Sequence, residues 1–148
     1  MKKSALIILI LCSLPWRAQA VDDGDTYNSI RYLKKDLDQS SLVALVQPIS
    51  MSQDENVKAF GAVYRTNSHI IEPFKGSAKA GSSIEFYTAF EGDPNSFYRN
   101  EKRIVFLLRV PNKERNGWIF MELENSTREA SKSNLTKIRM IMRTERGR

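Results

Sequence analysis

The sequence has little of the chemistry that most enzymes and metal sites use, with one cysteine, Cys12, and one histidine, His69. A zinc site needs several Cys, His or acidic ligands at close spacing, which these two residues do not provide. A catalytic triad would require His69 to pair with a serine and with an acid such as Glu72 or Asp93, and no turn typical of a nucleophile lies nearby. The seven glycines are scattered and form no phosphate-binding loop. We therefore predict a protein that is not an enzyme and that binds no metal and no cofactor.

The sequence also lacks an apolar run long enough to span a membrane, which takes about 20 residues. Its first apolar run, Ala5–Leu14, has ten residues and follows two lysines near the N-terminus. Together with the small-residue motif Ala18-Gln19-Ala20, this run is typical of a cleaved signal peptide. We predict a mature chain that starts at Val21 and resides in the periplasm or outside the cell.

Two alternatives to this cleavage remain open. The segment could stay uncleaved as an anchor, or Cys12 could be the lipidation site of a lipoprotein. Bacterial lipoproteins carry a small residue before the cysteine, whereas Leu11 precedes it here. Cleavage leaves 128 of the 148 residues, removes the only cysteine, and lowers the net charge from +6 to +3 because three basic residues are lost. Without disulfides, the mature domain must be held together by packing alone.

The chain divides into four parts that differ in charge and periodicity. They are the signal peptide at 1–20, an N-terminal segment with a helix at 21–41, a β-barrel at 42–125, and a C-terminal helix with a basic tail at 126–148. The last part has seven basic and two acidic residues, a local charge of +5. A solvated tail is the simplest explanation for this excess.

Two helices are predicted from apolar residues that recur three and four positions apart. The first covers Thr26–Gln39 with Asp25 as its N-cap, and the second covers Asn134–Arg143 with Ser133 as its N-cap. Their apolar stripes are Ile30, Leu33 and Leu37 in the first, and Leu135, Ile138 and Met142 in the second. The basic residues from Arg143 onward are expected to be disordered.

Five strands are predicted from β-branched content and from alternation of apolar and polar residues. They are Leu42–Val46, Ala59–Ile71 with an interruption at Thr66–Ser68, Ile84–Phe90, Ile104–Leu108 and Trp118–Leu123. Pro48 should end the first strand or place it at an edge, with a loop from Gln47 to Asn56. The pattern predicts a mainly β fold, a small, partly open five-stranded barrel flanked by the two helices, with Phe86 and Phe106 in its core.

The middle of the chain carries a loose motif. It consists of Phe74-Lys75-Gly76, Gly81, Ile84-x-Phe86 and the strand Lys102-Arg103-Ile104-Val105-Phe106-Leu107. This motif resembles the netrin-module and metalloproteinase-inhibitor type of OB-fold, as in small bacterial secreted proteins, and the resemblance covers residues 42–125. Asn100 replaces the turn glycine of that family, and asparagine tolerates the same left-handed backbone. Those inhibitors chelate zinc through an N-terminal cysteine, but Val21 stands at the predicted N-terminus, so the resemblance implies the fold alone.

Binding residues are predicted in two places. Phe97, Tyr98 and Arg99, in the loop from Glu91 to Asn100, are of the types that dominate binding energies at interfaces. The alternative is that the two aromatic rings fold back as a lid over the barrel end.

The second place is a possible ligand face formed by Tyr64, Tyr87, Trp118 and Phe120, flanked by the loops Gln47–Asn56 and Pro111–Gly117. Equally, these aromatic side chains could pack under the helices. Glu122 and Glu124 lie on one face of the last strand, which is typical of a solvent-facing edge.

The sequence thus predicts an exported, non-enzymatic binding module of the bacterial cell envelope that recognises a protein or another macromolecule. One alternative is a peripheral membrane protein that contacts anionic lipid through its basic C-terminal helix, Leu135–Arg148. Another is a single-stranded nucleic-acid-binding OB-fold. Export and the nearly neutral barrel region argue against nucleic acid.

Overall fold

The computed structural model describes residues 29–55, 62–90, 101–112, 117–123 and 126–147. The elements are α1 (Ile30–Gln39), β1 (Leu42–Gln53), β2 (Ala62–Lys75), β3 (Ser83–Phe90), β4 (Arg103–Asn112), β5 (Gly117–Glu122), β6 (Arg128–Glu129) and α2 (Lys132–Arg146). The predicted mainly β fold with one helix before and one helix after the strands is confirmed. Within the described ranges, no helix has both the length and the apolar character needed to cross a membrane.

Five strands close into a mixed barrel in the order β1-β2-β3-β5-β4-β1. β1 pairs antiparallel with both β2 and β4, and β4 pairs antiparallel with β5. The last seam is parallel and joins β3 to β5 at Tyr87 and Met121. This closed barrel is compatible with an OB-like fold. The two-residue strand β6, which the sequence did not predict, pairs with Arg103 and Ile104 of β4, which lie outside the part of β4 that pairs with β5.

The first strand is longer than predicted because a β-bulge next to its proline lets the strand continue. Pro48 lies opposite Ser68 and Ser50 lies opposite Asn67, so Ile49 is the extra residue. Such a bulge lets pairing continue past a residue that has no backbone N–H to donate. β1 therefore runs to Gln53, and the prediction of a loop from Gln47 is wrong. The predicted interruption at residues 66–68 is regular strand, and the irregularity lies across from it on β1.

The barrel has one apolar core inside and a second one outside, under the helices. The inner core contains Leu42, Ala44, Val46, Ile70, Ile84, Phe86, Val105 and Leu107. The outer core contains Leu33, Leu37, Val43, Leu45, Phe74, Ile104, Phe106, Ile138 and Ile141. Because successive strand residues point to opposite faces, the continuous apolar runs of β1 and β4 supply both cores. Phe86 and Phe106 are buried as predicted, each in a different core.

The helices start at other residues than the sequence suggested. Ser29, not Asp25, is the N-cap of α1, and its hydroxyl accepts from the Tyr32 amide at 3.4 Å. Ser131, not Ser133, is the N-cap of α2, and it accepts from the Asn134 amide at 3.2 Å. Each helix start has more than one candidate cap, Asp25 and Ser29 before α1 and Ser131 and Ser133 before α2, so tertiary packing selects among them.

The C-terminal helix is also longer than expected, since it continues to Arg146 instead of ending at Arg143. Its last turn carries two arginines, which interact favourably with the negative end of the helix dipole. An ion pair of 2.8 Å between Lys34 and Glu145 ties this last turn to α1. The prediction of disorder is therefore wrong as far as residue 147, the last one described.

Candidate functional site

A cleft of about 700 Å³ opens at the end of the barrel where β1 starts and β2 ends. One wall is the turn after β2, and the other is the part of β4 and β5 that extends past the start of β1. The residues that line it are Ser41, Leu42, Gly76, Ser77, Arg109, Trp118 and Phe120. We call it the Trp118 cleft. Its volume is within the range of about 300–1,000 Å³ that small-ligand sites occupy.

Trp118 and Arg109 form the polar and aromatic wall of this cleft. The Trp118 side chain is 59% exposed, and the Arg109 guanidinium lies over its ring at 4.9 Å from the centroid. A cation over an exposed tryptophan contributes about 0.5–1 kcal/mol, which favours one arrangement of two otherwise mobile side chains. Trp and Arg are also the residue types that most often dominate binding energies. The cleft thus presents a flat apolar surface beside a cation.

Backbone contacts hold the rest of the cleft in place. The Ser41 amide donates to the Leu107 carbonyl at 2.8 Å, and the Ser41 hydroxyl accepts from the Arg109 amide at 3.1 Å. Gly76 adopts a φ of +93°, and a Cβ atom there would stand 2.9 Å from the Ser41 carbonyl oxygen. Only glycine allows both this left-handed backbone and this approach. The turn after β2 therefore packs directly on the start of β1 and fixes the width of the cleft.

The four aromatic residues predicted to share a ligand face do not all come together. Trp118 and Phe120 lie two positions apart on one face of β5, whereas Tyr87 pairs with Met121 and lies on the opposite face. Tyr87 is 4% exposed, which leaves little of its ring available to a ligand. Tyr64 is half-buried, and it pairs with Thr88 on β3. Phe97, Tyr98 and Arg99 lie outside the described residues.

Arg109 is a member of the cleft that the sequence reading missed. Its position was predicted to follow the fourth strand, and no local motif marks it. Arg109 belongs to the cleft because β4 pairs with β5, which sets Arg109 opposite Phe120, two positions from Trp118. The sequence pattern predicts a loop at Pro111–Gly117 between these two strands but no pairing that would bring Arg109 next to Trp118.

The carboxyl group of Glu122 lies inside the barrel, whereas the sequence predicted it at a solvent-facing strand edge. Glu122 is on the same face of β5 as Phe120, and it pairs with Leu107 of the inner core. Its Oε1 accepts from the Thr127 amide at 3.3 Å, while its Oε2 is buried with no hydrogen-bond partner in the described parts of the chain. Burial raises the pKa of this carboxyl, and the nearby Thr127 and Thr88 hydroxyls offset the rise only in part.

The inward-facing hydroxyls of Thr66, Ser68 and Thr88 are also buried, and none finds a hydrogen-bond partner among the described residues. His69 points away from this group, because its neighbour Ser68 faces the barrel interior. Glu122 and His69 are therefore on opposite faces and do not form an acid–base pair. In the described ranges, no three His, Cys, Asp or Glu side chains are grouped so that they could hold a metal ion.

Comparison with known proteins adds no assignment to this geometry. The chain matches no protein-family model, and no curated protein is significantly similar to it.

Proposed function

We propose that this protein is a non-enzymatic binding module exported to the bacterial cell envelope, with the Trp118 cleft as its binding site. The observation that carries the proposal is the exposed Trp118 ring with Arg109 over it, at the mouth of a concave site. Tryptophan and arginine are the residue types that most often dominate binding energy, and their place together at a concave site favours recognition. The leader-like N-terminus supports export.

The barrel type is part of the same proposal. The strand order and the parallel β3–β5 seam fit the netrin-module and metalloproteinase-inhibitor type of OB-fold. The two glycines of the motif, Gly76 and Gly81, both adopt positive φ at the turn between β2 and β3. This turn forms one wall of the cleft, so the motif meets the proposed site at Gly76.

Attachment to anionic lipid through the C-terminal helix is the weaker candidate. An interfacial helix inserts its apolar face into the bilayer. In α2, Ile138 and Ile141 are buried in the outer core, and Leu135 and Met142 pack against it. The apolar stripe is thus occupied by the barrel, and the exposed residues of α2 that remain to contact lipid are polar or charged, apart from Met140.

Fluorescence of Trp118 provides a direct test of the cleft. A chain that starts at Val21 has Trp118 as its only tryptophan, because the other one is Trp16. We would titrate this chain with three classes of probe, namely short peptides, envelope oligosaccharides and single-stranded oligonucleotides. We expect a saturable change in emission with one class, and calorimetry should show that Trp118→Ala loses at least tenfold in affinity for it.

The matched control is Ile49→Ala, because Ile49 is 61% exposed but lies at the β1 bulge and not in the cleft. This variant should bind as the parent chain does. If no probe class perturbs Trp118, or if the Ile49 and Trp118 variants lose affinity equally, the cleft is not the binding site.

A further inference from the structure

The charge of the Trp118 cleft indicates which ligands it takes, if it is the binding site proposed above. Arg109 is the one charged residue among the described residues that line it. Among the described residues, no carboxylate lies within ion-pair distance of its guanidinium. By contrast, Arg65, Arg103, Arg128 and Arg139 each have a carboxylate partner, at 4.0, 3.2, 2.8 and 2.6 Å. Within the described parts of the chain, the cleft therefore has a cation without a partner anion.

The donors of Arg109 remain available despite its contact with Trp118. A guanidinium that lies over an aromatic ring uses its face for that contact, and its N–H groups still donate in its own plane. Those groups match a carboxylate, which can accept two of them at once. The Ser41 hydroxyl, which accepts from the Arg109 amide, keeps its own hydrogen to donate. Ser77 adds an exposed hydroxyl on the facing wall.

We propose that the Trp118 cleft binds an acidic peptide segment, with a side-chain carboxylate on Arg109 and a neighbouring apolar or aromatic side chain on Trp118. A peptide fits better than a nucleic acid because a phosphate backbone is bound by a row of cations, whereas the described lining of the cleft offers one. A neutral sugar would use the Trp118 ring but would leave the guanidinium without an anion. A single carboxylate beside an apolar group uses both.

The test compares charged and neutral versions of the same peptide. The probes are acetylated, amidated hexapeptides in which one Glu lies one, two or three positions from a Phe, each with a counterpart that has Gln instead of Glu. We would measure their affinities for the chain that starts at Val21, by Trp118 fluorescence and by calorimetry. Because hydrogen bonds to a charged group are worth about tenfold or more in affinity, the best Glu peptide should bind at least tenfold more tightly than its Gln counterpart.

Variants of Arg109 then locate the effect. Arg109→Met should bind the Glu and Gln peptides equally, since its side chain still covers the ring but has no charge. Arg109→Lys keeps the charge without the planar fork, so it should retain part of the discrimination. The melting temperature of each variant, followed by circular dichroism, confirms that the barrel is intact, because Arg109 is exposed and leaves no cavity.

The outcomes separate this inference from the proposed function. If Glu and Gln peptides bind the parent chain equally, or if an oligosaccharide or an oligonucleotide binds more tightly than every peptide, the acidic-peptide assignment is wrong and the binding module stands. If no probe perturbs Trp118, both are wrong. Discrimination that survives in Arg109→Met would also overturn the assignment, since another group would then hold the carboxylate.

Discussion

Replacing Glu122 by glutamine should stabilise the barrel at neutral pH. The carboxyl lies inside the barrel, where Oε2 has no hydrogen-bond partner within the described residues and burial raises its pKa. A buried polar group without a partner costs about 1–3 kcal/mol, and more if it is charged. Glutamine keeps the shape, removes the charge and adds two donors beside the Thr88 and Thr127 hydroxyls. We therefore expect Glu122→Gln to raise the free energy of unfolding by about 1–2 kcal/mol at pH 7.

The sign of the pH dependence follows from the direction of the shift. The pKa of Glu122 is higher in the folded chain than in the unfolded one. Its contribution to stability is thus fully present below the unfolded pKa, about 4.3, and is lost as the pH rises through the folded pKa. Asp36 also has a pKa raised by burial, which the Arg128 charge offsets in part, so the parent chain alone does not isolate Glu122.

The assay is urea unfolding followed by circular dichroism between pH 4 and pH 8, on the parent chain and on Glu122→Gln. The stability gain of the variant should be small at pH 4 and should grow towards pH 8. Glu129→Gln is the matched control, because Glu129 is exposed and should change stability by less than about 0.5 kcal/mol. If Glu122→Gln is less stable at pH 7, or if its gain does not vary with pH, the carboxyl is not buried as described.

Two further changes test the contacts that join the elements. Arg128→Met should lower the free energy of unfolding, measured by thermal melts, by about 3 kcal/mol, because the Asp36 carboxylate, which lies 2.8 Å from the Arg128 guanidinium, would be buried without a cation. The loss should be smaller at pH 4, where Asp36 can take up a proton. An equal loss at pH 4 and at neutral pH would contradict this reasoning. Gly76→Ala should lower the free energy of unfolding by about 1–3 kcal/mol in the same assay, because both the φ of +93° and the close approach to the Ser41 carbonyl disfavour a side chain there. Gly81→Ala should cost less, because Gly81 has a φ of +84° but open space around it.

Local periodicity was enough for the existence and the type of the main elements. The alternation in Ile84–Phe90 and the doubly apolar run Ile104–Leu108 each correspond to an observed strand. Both helices lie where their apolar stripes were recognised. These patterns are informative because the position of a residue within a helix or strand determines the face on which its side chain lies. The ends of the elements were less predictable, since each helix start has more than one residue that can serve as an N-cap.

Long-range pairing decided the features that the sequence reading missed. Pro48 reads locally as a strand breaker, and only the bulge opposite Asn67 and Ser68 lets β1 continue. The two residues of β6 are too few to leave a pattern, and they form a strand because β4 offers a free edge beyond β5. Tyr87 and Trp118 were both predicted as members of one possible ligand face, but the register of β5 places them on opposite faces.

The amino-acid sequence by itself determined a disulfide-free, mainly β domain with a helix on either side, because composition and period depend only on the order of residues. The tertiary structure decided which of these residues meet. It placed the Glu122 carboxyl inside the barrel beside the Thr88 and Thr127 hydroxyls, and it placed Arg109 over Trp118 although nine positions separate them in the chain. The reason is physical. Burial and charge pairing depend on strand register and on barrel closure, and contacts distant in sequence set both.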